Sequence, residues 1–414
     1  MIATTEIATD LITPLGAYLR LRGAGRASFL LESVERGRLG RYSFVGSGER
    51  VVSFEEAEQL DVPLVGYLGY DFVAALEPTV SLPDDGPGFP ESAFVIADTL
   101  VRFDHAQGVA EVLAGDAADV AERLNGEQPA FPRGHGRPGP IHRFPDQAEH
   151  ERRIRHAQEH IRAGDAFQIV VAQRAERPTP ASALELYRAL RRVNPSPYLF
   201  LLELPGLALV GSSPETVVKC EGTRAAVNPI AGTSWQGDDD ALLASEKDRA
   251  EHVMLVDLGR NDLSRVCIPG TVRLERFMAT ERYSHVTHLV SEVVGELADR
   301  HTPFELLRAC FPAGTVSGAP KVRAMQIISE LEGYRRGVYA GAVGYALPAD
   351  PALGTPTLDT CIAIRMLVLR DGIAYLQAGG GIVVDSDPAT EHEECLRKLA
   401  AIETAIELAE QEQR

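Results

Sequence analysis

Short apolar strands joined by glycine and proline turns, with helices grouped in blocks between them, constrain the fold of this chain more than any other feature. The segments "YLFLLEL" (198–204) and "LALVGSS" (207–213) follow each other across a short turn. The segment "AFVIADTLVRFDH" (93–105) followed by "GVAEVLAG" predicts a hairpin. This pattern indicates an α+β fold with largely antiparallel sheets rather than a doubly wound sheet.

Helix signals lie mostly in the second half of the chain. A long polar helix is predicted after Asp146, a plausible N-cap, and it should stop at Gly164. Further helices are predicted over 302–309, over 321–331 and from a start near Ser284. The segment "TLDTCIAIRMLVLR" (357–370) reads as one apolar strand.

A change in composition divides the chain. Residues 126–145 are rich in Gly, Pro, Arg and His, which is typical of a linker. The sequence therefore predicts an N-terminal region over 1–125, a linker over 126–145 and a larger domain over 146–414.

The charge balance excludes several classes of partner. Asp and Glu number 59 against 41 Lys and Arg, a formal charge of −18, which opposes binding to nucleic acid or to an anionic membrane. There is no apolar run long enough to span a bilayer, and the N-terminus lacks the pattern of a signal peptide. Five cysteines without CxxC spacing favour a reducing compartment, so we expect a cytoplasmic protein.

Two acidic clusters stand out for their spacing. Asp248 and Glu251 are three residues apart in one predicted helix, and Glu391 and Glu394 are three apart in another. Such pairs share a helix face and repel each other, so a cation between the helices would explain them. Mg²⁺ binds one or two carboxylates and keeps several waters. Solvated acidic faces arising from the composition are the alternative.

Several glycine-rich turns could bind anions. They comprise "AGT" (231–233), "AGTVSGAPK" (313–321) and "AGGGI" (378–382), and Arg365 could add a bidentate contact to a carboxylate. Each could equally be an ordinary tight turn. No phosphate loop, dinucleotide fingerprint, zinc-protease helix or nucleophile elbow is found. The residues alone thus indicate a Mg²⁺ enzyme acting on a small substrate with more than one carboxylate.

A set of long motifs resembles the chorismate-utilising enzymes, and among them the large subunits of anthranilate synthases. The motifs are "SFLLESVERGRLGRYSFVG", "LVGYLGYD", "NPIAGT", "AEHVMLVDLGRNDLSRV", "ERYSHVTHLVSEVVG", "FPAGTVSGAPKVRAMQII", "GAVGY", "IAIR", "QAGGGIVVDS" and "EHEECLRK". They occur in the family's order. The resemblance implies that family's fold, with antiparallel sheets packed in a sandwich and helices outside. It also implies that 1–125 is a shortened regulatory region and 146–414 the chorismate-binding catalytic domain.

The resemblance implies four catalytic residues. Glu215 matches the general acid that protonates the leaving hydroxyl, and His288 matches a histidine implicated in pyruvate loss. Gln168 stands where hydroxylating members carry a lysine base; an amide cannot accept a proton at neutral pH, whereas ammonia needs no activation. Thr315 completes this set. Ala231 stands where aminodeoxychorismate synthases carry a nucleophilic lysine, so that chemistry is excluded.

The binding residues also follow from the resemblance. Glu251 and Glu394 match the Mg²⁺ carboxylates, with Asp248 and Glu391 orienting bound waters. The substrate-binding set implied is Gly232, Thr233, Tyr339, Arg365, Gly379, Gly381 and Lys398. A feedback site for tryptophan is implied at Leu31, Glu32, Ser33, Asn194, Pro195, Ser196, Pro197 and Tyr198.

The implied reaction converts chorismate and ammonia to anthranilate and pyruvate. No cysteine sits in the turn of a glutamine amidotransferase, so a separate amidotransferase subunit should supply ammonia in a hetero-oligomer. Two alternatives stay open. One is a 2-amino-2-deoxyisochorismate synthase of a specialised pathway, which stops before pyruvate loss, and the other is a non-catalytic tryptophan-binding homologue.

Overall fold

Two large antiparallel sheets form the centre of the chain in the computed structural model, which describes residues 6–23, 25–33, 41–235, 239–282, 286–348 and 354–412. The strands in these residues are β1 (Glu6–Ala8), β2 (Ala27–Glu32), β3 (Tyr42–Gly48), β4 (Val51–Val52), β5 (Leu64–Leu68), β6 (Ser92–Ile96), β7 (Thr99–Asp104), β8 (Val109–Ala114), β9 (His142–Phe144), β10 (Gln168–Pro178), β11 (Tyr198–Leu204), β12 (Leu207–Ser213), β13 (Thr216–Glu221), β14 (Arg224–Val227), β15 (Ile230–Trp235), β16 (Arg273–Arg282), β17 (Val286–Glu296), β18 (Gly318–Ala319), β19 (Ala342–Leu347), β20 (Thr357–Ile362), β21 (Met366–Arg370) and β22 (Ile373–Ile382).

Helices cover the outer faces of the sheets. They are α1 (Pro14–Leu21), α2 (Phe54–Ala57), α3 (Val73–Leu76), α4 (Ala117–Asn125), α5 (Gln147–Arg162), α6 (Ala183–Val193), α7 (Asp239–Ala244), α8 (Glu246–Ser264), α9 (Pro303–Cys310), α10 (Lys321–Glu332) and α11 (Pro388–Gln411). Single 3₁₀ turns lie at Tyr70–Phe72 and Gly314–Val316. Among the described helices, none is both long and apolar enough to cross a bilayer.

Strand pairing confirms the predicted fold class. Sheet A has 12 described strands in the order β1-β8-β7-β3-β2-β11-β12-β21-β22-β10-β18, with β9 beside β10. Sheet B has 10, in the order β15-β17-β14-β13-β20-β19-β5-β6-β4, with β16 beside β17. Every pairing between described strands is antiparallel.

Alternation along the strands creates apolar layers on both faces of each sheet. Phe200 and Leu202 of β11 pack between the sheets with Tyr67 of β5, whereas Leu201 joins the layer under α1, α4, α6 and α11. A further layer covers the other face of sheet B and includes Phe304 of α9. Burying a large apolar side chain stabilises the fold by about 1.5–3 kcal/mol, so these layers dominate its stability. The result is a β-sandwich with helices outside, as predicted.

Two predicted elements are wrong in instructive ways. The helix expected from Ser284 is strand β17; Ser284 itself lies outside the described residues, and the Val-rich segment that follows pairs with β14, β15 and β16. The single strand expected over 357–370 is two strands in different sheets, interrupted at Arg365, whose φ is 49°. By contrast, the Asp146 N-cap and the stop at Gly164 are confirmed, since α5 covers Gln147–Arg162 and Gly164 has a φ of 86°.

Strands from before residue 125 lie inside both sheets. In sheet A, β2 pairs with β11, and in sheet B, β5 pairs with β19. Residues 126–145 include β9, which pairs with β10. The division into an N-terminal region, a linker and a catalytic domain stays a prediction.

Candidate active site

Two of the points at which the chain crosses from one sheet to the other lie next to each other, and each of these two carries a site residue. Glu215 lies between β12 of sheet A and β13 of sheet B, and Arg365 lies between β20 of sheet B and β21 of sheet A. The crossings are bonded to each other, since Ile362 N donates to Glu215 O at 2.9 Å and Ser212 N donates to Arg365 O at 3.1 Å. A left-handed φ at a non-glycine residue costs about 1–2 kcal/mol, so Arg365 is held there by its surroundings.

Glu215 is a buried acid with mostly neutral hydrogen-bond partners. Its side chain is 5% exposed, and the Thr315 hydroxyl donates to its Oε1 at 2.7 Å. Burial raises the pKa of Glu215 to about 8, against the opposing effects of Thr315, of the backbone N–H of Ile230 and of nearby Arg365. Burial also lowers the pKa of Arg365. Glu215 is therefore protonated at neutral pH and able to donate that proton.

Gln168 joins the first acidic helix to a glycine-rich strand. Its Nε2 donates to Glu251 Oε1 of α8 at 3.0 Å. On the paired strand β22, a Cβ placed on Gly381 would lie 2.4 Å from the same nitrogen, and one placed on Gly380 would lie 2.9 Å from Glu391 Oε2. The glycines thus let Gln168 and the second acidic helix, α11, approach the strand. Side chains of α8 and α11, about 140 residues apart in the sequence, thus lie against the paired strands β10 and β22.

The four acidic residues are not equivalent. Glu391 is buried, and its Oε1 accepts a hydrogen bond from the Ser386 hydroxyl at 2.8 Å. Glu394 is half-exposed and forms an ion pair with Lys398 at 2.8 Å, while Lys398 also donates to Gly379 O at 2.8 Å. Asp248 lies one turn before Glu251, beside Gly232, where an added Cβ would be 3.3 Å from the Asp248 carboxyl carbon.

The donor chemistry of these carboxylates fits a hard divalent cation. In the described part of the chain, no group of three or more His, Cys, Asp or Glu side chains is arranged to hold a metal ion. Mg²⁺ does not need such a cluster, because it binds proteins through one or two carboxylates and retains its waters. Glu251 and Glu394 provide that number, so the residues present are compatible with Mg²⁺.

His288 faces the turn at Gly232. Its Nδ1 is 2.9 Å from Gly232 O, and because a carbonyl only accepts, Nδ1 carries the proton and Nε2 the lone pair. Burial lowers the pKa of His288, although the bond to Gly232 opposes this. Gly232 has a φ of 65° at a bulge in β15, and the backbone of Thr233 pairs opposite His288. Burial thus favours the neutral imidazole, which is held at Nδ1 by Gly232.

Tyr339 completes the predicted substrate-binding set. Its hydroxyl lies beside the backbone of Gly379, where an added Cβ would be 3.1 Å away, and burial raises its pKa above the ordinary value. Glu215 and Arg365 thus lie at the crossings, and the other predicted residues divide into two groups. Those on β22 or in contact with β22 or Glu215 are Gln168, Thr315, Tyr339, Gly379, Gly381 and Lys398. Those on the neighbouring pair β15 and β17 are Gly232, Thr233 and His288.

The residues predicted to bind tryptophan form a separate cluster. β2 and β11 are neighbours, with Glu32 opposite Leu199, so the segments 31–33 and 194–198 lie side by side. Glu32 accepts a hydrogen bond from the Tyr187 hydroxyl at 2.5 Å and forms an ion pair with Arg191 at 3.2 Å. Ser33 Oγ and Asn194 Nδ2 are buried without a partner among the described residues. The remaining members of this set are Leu31, Pro195, Ser196, Pro197 and Tyr198.

One hydroxyl connects the two clusters. Tyr198 OH is 2.8 Å from Thr216 Oγ1, and Thr216 directly follows Glu215. The same hydroxyl donates to Asp359 at 3.2 Å. A displacement of Tyr198 would therefore disturb its hydrogen bond to Thr216, the residue next to Glu215.

Comparison with known proteins decides the family. The profile described as "chorismate binding enzyme" matches residues 26–404. The chain belongs to the chorismate-binding enzyme family. Among members of this family, anthranilate synthase component 1 of Streptomyces coelicolor is 43% identical over 98% of this chain and 88% of its own length. The corresponding protein of Thermus thermophilus is 42% identical over 97% and 96%.

Solved structures of chorismate-binding enzymes have the same fold. The crystal structure of anthranilate synthase component I from Streptococcus pneumoniae superposes with a TM-score of 0.79 at 31% identity, covering 96% of this chain and 99% of that one. MenF, the menaquinone-specific isochorismate synthase of Escherichia coli, gives a TM-score of 0.76 at 21% identity, over 97% and 94%, and supports the fold alone. The family resemblance found in the motifs is confirmed.

The sequence did not identify all contacts of the site. Ser386 fixes one oxygen of Glu391, and Ile230 supplies a backbone N–H to Glu215. Ser386 directly precedes Asp387, the N-cap of α11, so the helix-start rule could have drawn attention to it. The role of Ile230 depends on a backbone group, which no residue-type argument reveals.

Proposed function

We propose that this chain is the catalytic component of an anthranilate synthase, which converts chorismate and ammonia to anthranilate and pyruvate. One observation carries the proposal: Glu215 is a buried, protonated acid held by Thr315 beside Arg365. Such an acid is what departure of a ring hydroxyl as water requires, because hydroxide is a poor leaving group. The names of the relatives support the same reaction.

The first step is amination with loss of water. Glu215 would donate its proton to the C4 hydroxyl, while Arg365 and the backbone groups of β22 bind the substrate carboxylates. Ammonia would form the new bond at C2 and then lose a proton, and both ring double bonds shift as the C4–O bond breaks and water leaves. Gln168, held by Glu251, cannot act as a base toward water, which favours ammonia as the nucleophile.

The second step is elimination of the side chain. Loss of the C2 proton and cleavage of the C3–O bond make the ring aromatic and release the enolate of pyruvate, which takes up a proton to give pyruvate. His288 is suited to accept that proton, because Nδ1–H is bonded to Gly232 O and Nε2 carries a lone pair. We propose completion of this step, rather than release of 2-amino-2-deoxyisochorismate.

We also propose Mg²⁺ as the cofactor, held by Glu251 and Glu394, with Asp248 and Glu391 orienting its waters. When bound, it would neutralise the ring carboxylate and offset charge as the C4 hydroxyl leaves. The ion pair of Glu394 with Lys398 would have to loosen on binding. The buried Glu391, fixed by Ser386, is suited to hold a water rather than to move.

Tryptophan is proposed as the inhibitor. The unpartnered Ser33 Oγ and Asn194 Nδ2 are suited to hydrogen-bond a ligand, since leaving such groups buried and unpaired costs about 1–3 kcal/mol. The bond between Tyr198 and Thr216 offers a route from that site to Glu215. A separate glutamine amidotransferase is proposed to deliver ammonia in a hetero-oligomer, and the five buried free cysteines support a cytoplasmic location.

The test is direct. The purified chain is mixed with chorismate, Mg²⁺ and ammonium, and anthranilate fluorescence and pyruvate are followed together. We expect equal amounts of both, and we expect kcat/KM to fall as pH rises above about 8, where Glu215 loses its proton. Loss of chorismate without anthranilate would show that the reaction stops at the aminated intermediate. No loss of chorismate would leave only a binding role.

A further inference from the structure

Arg336 lies behind the active site and bonds to two of the segments that form it. It is 2% exposed. Its Nη1 donates to Val316 O at 2.7 Å, and its Nη2 donates to Val170 O at 2.9 Å. Val316 directly follows Thr315, and Val170 lies two residues beyond Gln168 on β10. One guanidinium thus connects the backbone beside two catalytic side chains.

The orientation of this guanidinium is fixed by Glu332 at the end of α10. Nε donates to Glu332 Oε2 at 2.9 Å and Nη2 donates to Oε1 at 2.6 Å, a bidentate contact. Glu332 Oε1 also accepts from Ala172 N of β10 at 2.9 Å. The pair therefore anchors both the turn that carries Thr315 and strand β10 to the same helix.

A third site segment packs against the same group. The guanidinium carbon lies 5.7 Å from the ring centroid of Tyr339 and 4.6 Å from that of Tyr70, within the range of cation–π contact. Gln377 of β22 donates to the backbone oxygen of Arg336 at 2.9 Å, two residues before Gly379. Arg336 therefore contacts the chain segments that carry Thr315, Gln168, Tyr339 and Gly379.

We propose that Arg336 is a positioning residue, which holds Thr315, Gln168 and Tyr339 in register with Glu215. The inference rests on the proposed function and assigns Arg336 a task within it. A buried ion pair is weak evidence for a purely stabilising role, because desolvation offsets much of its attraction. Positioning accounts for its contacts, since a displacement of about 1 Å at a catalytic group can cost on the order of 100-fold in rate.

The test compares Arg336→Lys with Thr315→Val and with the double variant. Lysine keeps the charge but lacks the planar fork that reaches Glu332, Val316 and Val170 together. We expect Arg336→Lys to lower kcat on the order of 100-fold. Once the turn is loose, removing the Thr315 hydroxyl should matter little, so the double variant should match Arg336→Lys. If the two effects were independent, the losses in kcat of the single variants would instead multiply to give the loss of the double variant, to within about 2-fold.

The pH profile gives a second readout that a merely structural role would not move. The Thr315 hydroxyl lowers the pKa of Glu215, so loss of that bond should shift the alkaline limb of kcat/KM to higher pH. Arg365 and Glu251, the charged groups that also act on Glu215, are unchanged in these variants. We expect the same direction of shift in Arg336→Lys and in Thr315→Val.

Arg102→Lys is the matched control. Arg102 is also 2% exposed and pairs with Glu111 at 2.5 Å, on strands that carry none of the predicted site residues. It should lower Tm and leave kcat and the pH profile unchanged. Should Arg336→Lys fail to fold, Glu332→Gln weakens the same contact at constant volume and is subjected to the same measurements.

The outcomes are distinguishable. If Arg336→Lys, or its substitute, lowers only Tm, or if its effect on kcat multiplies with that of Thr315→Val, the positioning role is overturned while the proposed function stands. If the wild-type chain consumes no chorismate, the proposed function fails and the inference fails with it. The positioning role is supported if the double variant loses no more kcat than Arg336→Lys alone and if the alkaline limb of kcat/KM shifts to higher pH.

Discussion

Two buried glutamates, Glu215 in the active site and Glu32 in the predicted tryptophan site, have nearly the same exposure, 5% and 6%. Their partners differ. Glu32 forms an ion pair with Arg191 and accepts from a tyrosine hydroxyl. Glu215 accepts from Thr315 and a backbone N–H, and a second carboxylate, Glu251, acts against its ionisation. Burial alone therefore does not decide what a carboxyl group does.

The difference separates a proton donor from an anchoring group. A carboxylate bonded to a guanidinium and a tyrosine hydroxyl is an anchored acceptor, which suits recognition of a cationic ammonium or an N–H group. A buried carboxyl with neutral partners keeps its proton near pH 7 and can transfer it. The following experiments test this contrast between Glu215 and Glu32.

The largest effect is expected for Glu215→Gln. Glutamine keeps the shape and the acceptor for Thr315 but cannot protonate the leaving hydroxyl, so chorismate consumption should fall by about 10²- to 10⁴-fold. Glu410→Gln is the control, because Glu410 is a buried carboxylate of α11 bonded to Arg177 and Thr179. It should leave turnover unchanged. Wild-type turnover in Glu215→Gln would remove the general-acid role.

A smaller effect is expected for Glu32→Gln, measured as tryptophan affinity by calorimetry. Replacing a charged hydrogen-bond acceptor with a neutral one should weaken binding by about 10- to 100-fold, the equivalent of 1.5–3 kcal/mol. The concentration of tryptophan that halves activity should rise in parallel. Unchanged affinity would show that tryptophan, if bound, does not use this carboxylate.

A further effect concerns stability. In the unfolded chain Glu215 titrates near 4.5, whereas in the folded chain its pKa is about 8. Between these values the folded state holds a proton that the unfolded state releases, so this group lowers stability as pH rises. Glu215→Gln lacks the effect, and its Tm relative to wild type should increase between pH 5 and pH 8. A constant difference in Tm would contradict the raised pKa.

The sequence could predict the residues of the site better than their arrangement. The spacing of Asp248 with Glu251 and of Glu391 with Glu394 indicated that two helices meet, and the structure brings both to Gln168 and β22. Spacing could not show that Glu391 is buried while Glu394 is paired with Lys398, because that depends on how α11 packs on β22. Helix periodicity specifies a face and not its neighbours.

The prediction of secondary structure was wrong where pairing with distant strands determines the structure. The segment after Ser284 reads as a helix locally, but three strands of sheet B pair with it as β17, and this pairing places His288 opposite Thr233. Likewise, an unbroken apolar run gave no sign that Arg365 interrupts it at a crossing between sheets. Arg336 was missed because two of its partners, which link it to the site, are backbone carbonyls that no motif encodes.

The interleaving of early and late strands has a consequence for how the chain is made. During synthesis β2 and β5 emerge first, but their neighbours β11 and β19 follow much later. Until then both strands present unpaired edges, which invite association with other nascent chains. Such non-local pairing slows folding. We therefore expect chaperones that shield these edges until β19 has left the ribosome to raise the yield of folded enzyme.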